Sequence, residues 1–161
     1  MCKLKVSLLI TTTLIFWVVF SSLGQEKDGR FRAMVLKKSI KDSLFIFDFS
    51  KKEDWNETQI KYLGILKSKD GKVFKILSYC WLWGRSPRST NRILIYNSDN
   101  RYLGCYAPDM KGELPVKIER NELIFSVETG DKLKSQSRIS FTDGLPDQIE
   151  IKGGNFYILQ K

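Results

Sequence analysis

The segment QIKYLGILKSKDGKVFKILSYCWLW, residues 59–83, decides the fold. Two apolar runs, Gln59–Lys67 and Lys72–Trp83, flank Ser68-Lys69-Asp70-Gly71. Asp-Gly between apolar runs is a hairpin signal, because glycine supplies the positive φ that a tight turn needs. The same arrangement recurs downstream. Arg92–Asn97 and Arg101–Ala107 flank Ser98-Asp99-Asn100, and Val116–Arg120 and Leu123–Glu128 flank Asn121-Glu122. Arg138–Thr142 and Gln148–Lys152 flank Asp143-Gly144-Leu145-Pro146, and Gly153-Gly154 turns the chain into Phe156–Gln160. Upstream, Arg30–Leu36 and Ser43–Phe49 read as the first two strands. Ser50-Lys51-Lys52-Glu53 has capping-box spacing and predicts a short helix ending near Glu57.

Apolar and polar residues alternate at Val116 and Ile118, at Leu123, Phe125 and Val127, and at Ile139, Phe141, Ile149 and Ile151. Alternation of this kind marks half-buried strands. Tight turns join antiparallel neighbours. The pattern therefore predicts an all-β chain of about eleven short strands. It is an antiparallel meander that closes into a small barrel or folds as a sandwich, with at most one short helix. The strands are too short and too irregular for an outer-membrane barrel, which needs about 9–11 residues per strand.

The N-terminus has a different character. Lys3 and Lys5 precede an uncharged, largely apolar run from Val6 to Phe20, and Ser22-Leu23-Gly24 then places small residues two apart. This is the order of a secretory signal with cleavage after Gly24, so residues 1–24 read as a leader and 25–161 as a single β-rich domain. The alternative is an uncleaved anchor, the one route by which this reading brings the chain to a membrane. The 161-residue chain has a formal charge of +9. Removing Lys3 and Lys5 with the leader leaves +7 on the exported part. Cys2 leaves with the leader, and Cys80 and Cys105 remain in an oxidising compartment, where an even count predicts a disulfide between them.

The chain has no histidine, which excludes Ser-His-Asp and Cys-His catalysis and His-ligated metal. No phosphate loop, dinucleotide fingerprint or calcium loop occurs, so no cofactor and no metal is expected. Carboxylates such as Asp48, Glu113, Glu119, Asp143 and Asp147 could in principle serve a hydrolase, but no spacing singles out a pair. Asn56-Glu57-Thr58 is a glycosylation sequon and carries weight only in a eukaryotic host. The lysines are spread along the chain instead of forming a stripe, so nucleic acid is not an expected partner. The balance leans against an enzyme.

Residues 79–106 stand apart, with clustered aromatics and Arg85, Arg88, Arg92 and Arg101. If Ser98–Asn100 is a three-residue turn, Tyr96 lies opposite Tyr102 and Ile93 opposite Cys105. If the two cysteines share a face, alternation gathers Tyr79, Trp81, Trp83, Tyr96, Tyr102 and Tyr106 on the opposite one beside Arg92. The loop 84–90 leaves the sheet at the same place. Either this face is core, or it is open and binds a ligand. In the second case Trp81, Trp83, Tyr96 and Tyr102 stack on it while Arg85, Arg88 and Arg92 pair with anions. Exported basic proteins meet anionic glycans, lipid head groups and envelope proteins. The leading expectation is a non-enzymatic exported domain that binds such an envelope-derived ligand. A structural domain whose edge strands dock a partner chain is the alternative.

Export through the chain's own leader should yield a protein whose intact mass is that of residues 25–161; a full-length mass would make the segment an anchor.

Overall fold

The computed structural model describes residues 28–86, 88–128, 134–151 and 154–161. The expected leader and Pro87 of the arginine loop lie outside them. The chain divides into two compact units after Lys37.

In the first unit the predicted strand Arg30–Leu36 is instead part of a helix over residues 28–38, α1. The reason is local. Ala33-Met34-Val35-Leu36 does not alternate, and Ala, Met, Leu and Arg favour helix. Asp28 pairs with Arg32 one turn on at 3.1 Å, an i,i+4 contact that supports the helix. Val35 and Leu36 are buried and Met34 is exposed.

The second unit is antiparallel β-structure. A five-stranded sheet runs β1 (Leu44–Asp48), β2 (Trp55–Lys67), β3 (Val73–Gly84), β4 (Arg88–Tyr96) and β5 (Tyr102–Tyr106), in that spatial order. A three-stranded sheet follows: β6 (Lys117–Glu119), β7 (Glu122–Glu128) and β8 (Lys134–Ser140). The ribbon β9 (Gln148–Ile151) and β10 (Asn155–Ile158) ends the chain. The sheets do not close into a barrel and the arrangement is sandwich-like. Phe74, Ile76, Cys80, Ile93, Ile95 and Tyr106 of the large sheet form one core with Leu123 and Phe125 of β7, and with Ile149 and Tyr157 of the ribbon.

The turns carry the expected chemistry. Gly71 has φ +79° in the β2–β3 hairpin, and Asn100 has φ +62° between β4 and β5. The β6–β7 turn is Arg120-Asn121, both at positive φ, one residue earlier than its sequence suggests. Asn121 then grips the end of β2, accepting from the Lys67 N–H and donating to its carbonyl, each at 2.8 Å. The helix expected from Ser50 does not form. Lys51 and Asp54 exchange two backbone hydrogen bonds, closing a tight β1–β2 turn. Ser50 accepts from the Asn56 N–H, so its hydroxyl caps a turn and not a helix.

Two bulges reshape the large sheet. One falls between Tyr62 and Gly64 on β2. The other takes Leu103 out of the β4–β5 register: Tyr96 pairs with Tyr102 as expected, but Ile95 meets Gly104, Leu94 meets Cys105 and Ile93 meets Tyr106. The extra residue swaps faces. Tyr106 therefore joins the core, and Cys105 moves to the face opposite Cys80.

The expected disulfide is absent: both thiols are free and buried. Face aside, β4 lies between β3 and β5. Two strand spacings are about 9.6 Å, beyond the roughly 7 Å limit between bridged Cα atoms. Burial also pushes the Cys80 thiol up, which keeps it protonated and unreactive.

Beyond the bulge, Cys105 and Gln160 exchange backbone hydrogen bonds at 2.8 and 2.9 Å, fastening the chain end along β5. A Cβ at Gly104 (φ +147°) would lie 2.6 Å from the Gln160 carbonyl oxygen and 3.0 Å from Leu159. Gly104→Ala should lower the unfolding free energy by about 2–4 kcal/mol through backbone strain plus this clash. Gly71→Ala, with positive φ but open space around it, should cost about 1 kcal/mol. Urea unfolding measures both, and equal losses would show that the close approach to Gln160 contributes nothing.

Candidate functional site

Register places the candidate residues in rows across the large sheet. On the face opposite the core, Tyr79 of β3 is level with Arg92 of β4, Trp81 with Thr90, and Trp83 with Arg88. On the other side of β3, Ile60 is level with Tyr79, Thr58 with Trp81 and Asn56 with Trp83. Phe49 bonds through its N–H to the Asn56 carbonyl, which sets it in the row of Trp83.

The seven residues expected to act together divide into groups. Trp81, Trp83, Arg85 and Arg88 gather at the β3–β4 hairpin. Tyr96 and Tyr102 sit at the far end of β4, where their rings meet edge to face at 5.6 Å. Eight residues of strand, about 27 Å, separate Arg88 from Tyr96. Arg92 lies between, half-buried, donating to the Asn91 carbonyl at 2.9 Å. Tyr79 and Tyr96 are buried, and Tyr106 is in the core on the opposite face, where its hydroxyl donates to the Pro146 carbonyl. The face is thus largely interior along its middle rows and open at its hairpin end.

At that end the side chains are held by one another. The Trp81 and Trp83 rings stack with centroids 5.7 Å apart and planes at 30°. Trp81 donates its indole N–H to Asn56 Oδ1 at 3.1 Å, and Trp83 donates to Thr90 Oγ1 at 3.2 Å. The Arg88 guanidinium lies over the Trp83 ring, 5.5 Å from its centroid. Trp81 remains 36% exposed, and Phe49 and Trp55 of the adjoining turn are more exposed still. Asn56 and Thr90 escape a reading of the sequence because each strand starts four residues before its expected beginning, β2 at Trp55 instead of Gln59 and β4 at Arg88 instead of Arg92. Arg88 also differs from expectation. It belongs to β4 and not to a loop, since Gly84 at φ +87° lets the chain reverse almost at once.

The arrangement suits adhesion of a flat or ring-shaped ligand. Stacked indoles present an apolar surface whose polar atoms are already satisfied, and a stacked guanidinium keeps its in-plane donors for a carboxylate or phosphate. The carboxylates do not converge in the same way. Asp48 accepts from Ser50, Glu119 pairs with Lys117, Asp143 pairs with Lys69, and Glu113 accepts from Asn155 and from the Met110 N–H. Each is engaged at a different turn or hairpin. Among the described residues no helix is long and apolar enough to cross a membrane.

No family model, curated protein or solved structure matches the chain.

The two kinds of aromatic should separate in a stability measurement. Tyr106→Ala empties a fully buried position and should cost about 3–5 kcal/mol, whereas Trp81→Ala removes an exposed ring and should cost about 1 kcal/mol. Chemical denaturation of both variants checks this. Comparable losses would make Trp81 a structural residue.

Proposed function

We propose that this is an exported, non-enzymatic β-domain whose hairpin end binds an anionic, envelope-derived ligand, an acidic glycan chain. The observation that carries the reading is the ordered Trp81–Trp83–Arg88 stack, solvent-facing and fixed by Asn56 and Thr90. Exposed aromatic side chains held in place lose little conformational freedom when a ligand arrives, so more of the contact energy appears as affinity. In this role Trp81 and Trp83 carry the sugar rings, while Arg88 and the exposed Arg85 of the turn meet the carboxylates or phosphates. The export signal and the positive charge of the exported part favour an anionic partner outside the cell.

Arg92, Tyr96 and Tyr102 lie outside this surface and serve as internal controls. The double variant Arg85→Ala/Arg88→Ala removes two charged donors, a loss of about 1.5–3 kcal/mol, roughly ten- to hundredfold in affinity. Its melting temperature should change little. Titration calorimetry with uronic-acid oligosaccharides should show this drop, a similar one for Trp81→Ala, and wild-type affinity for Tyr102→Ala. A neutral oligosaccharide bound equally well would remove the anionic specificity. Binding only to anionic phospholipid vesicles would replace the glycan by a lipid head group, and binding to neither would overturn the proposal.

A further inference from the structure

The outer edge of β1 has the features of a pairing surface. In the β1–β2 ladder the odd-numbered residues of β1 point their backbone groups at β2: Phe45 is level with Ile60, Phe47 with Thr58, and the Phe49 N–H donates to Asn56. Antiparallel ladders alternate, so the N–H and C=O groups of Leu44, Ile46 and Asp48 face away from the sheet. No described residue pairs with that side, since β1 is the terminal strand of its sheet. The side chains of Leu44 and Ile46 are 53% and 56% exposed.

Sheet edges are ordinarily guarded by lysine, proline, a bulge or brevity. β6 has only three residues, two of them charged, and β8 is polar but for Ile139 and carries Lys134 and Arg138. β1 has neither lysine nor proline, its pairing is regular, and Asp48 is the only charge between Ser43 and Ser50. The nearest lysine on β2, Lys61, is turned to Asp42 at 3.6 Å and to the Val116 carbonyl at 2.7 Å.

We infer that β1 is the interface of a homodimer, pairing antiparallel with β1 of a second copy. Two observations select a second copy. Charge is the first: copies of a chain with a net charge of +9, or +7 without the leader, repel, and this edge carries Asp48 as its own charge while the nearby Lys38 is engaged over the Phe45 ring at 5.2 Å, so copies meet here with little cationic charge between their strands. Closure is the second. The other edge of the same sheet, β5, is occupied by the backbone of Gln160, so β1 cannot add to β5 of a neighbour and propagate a fibre. Like must pair with like, a two-fold contact that consumes both edges and stops at two. The result is a continuous ten-stranded sheet with Ile46 near the axis, Leu44 beside it, and about six new backbone hydrogen bonds. A five-residue strand pair is a small interface, so the dimer should dissociate on dilution.

Sedimentation of the purified chain over a wide concentration range tests the inference. The mass should move from one copy to two with rising concentration and go no further. Ile46→Lys places a cation from each copy at the axis and should weaken association at least tenfold. Because Ile46 is exposed, the melting temperature of the monomer should hold. Leu44→Asp, which sets a carboxylate opposite Asp48 of the second copy, should act likewise, and Tyr102→Lys, at the opposite edge, should leave the dimer intact. A wild-type chain that stays monomeric throughout overturns the inference. So does a dimer indifferent to Ile46→Lys and Leu44→Asp, or growth past two copies.

Discussion

The close approach of Gln160 to Gly104 is the contact on which much else depends. Only a residue without Cβ admits the Gln160 carbonyl at that distance, and φ +147° at Gly104 belongs to the same requirement. The bulge one residue earlier and the tethered chain end act together. The bulge turns Tyr106 inward to complete the core beneath the large sheet, and the tether holds β5 so that the turned side chain stays there. Tyr106 is fully buried with its hydroxyl satisfied, and burial pushes that hydroxyl well above its ordinary range. A buried phenol with its donor used costs the core nothing in unsatisfied polarity.

Sequence reading succeeded where the signal was local and failed where it required counting across an irregularity. Asp70-Gly71 and Asn100 specify their turns through backbone chemistry, and the alternation of Leu123 and Phe125 matches the core face of β7. The assignment of Tyr106 and Cys105 failed because parity through β5 assumes that every residue is paired, and no residue of Tyr-Leu-Gly-Cys-Tyr except Gly104 signals that Leu103 is not. Gly104 was a hint, since glycine inside a strand often marks a bulge or a close backbone approach. Arg30–Leu36 failed for another reason: an apolar run without alternation cannot be divided between strand and helix by period alone. Ser50 met the spacing of a capping box, yet the same hydroxyl can satisfy a turn, and the pairing of β1 with β2 decided between them.

The candidate site was half legible. Trp81, Trp83 and Arg88 share a face because β3 and β4 are regular there. That Tyr96 and Tyr102 are remote from them follows from the length of β4, which sequence clustering disguises: residues close in number at a hairpin diverge along its arms. The side chains that orient the indoles, Asn56 and Thr90, come from strands whose register depends on a pairing partner. Such supporting residues are ordinary polar types in a sequence and become distinctive only through what they touch.

The proposed surface and the inferred interface are geometrically compatible. The turn closed by Lys51 and Asp54 joins β1 to β2 at the hairpin end of the sheet, so the stack of Trp81, Trp83 and Arg88 lies toward the C-terminal end of β1. Antiparallel pairing of two β1 strands sends those ends in opposite directions. The two-fold axis of such a pairing stands perpendicular to the sheet, so both stacks face the same side, at opposite ends of ten strands. A short ligand would occupy one stack alone. A polymer lying along that side would reach both, and the second contact would then be intramolecular, strengthening the whole without any new residue at either end. A repetitive anionic chain is the class of ligand that gains from this spacing.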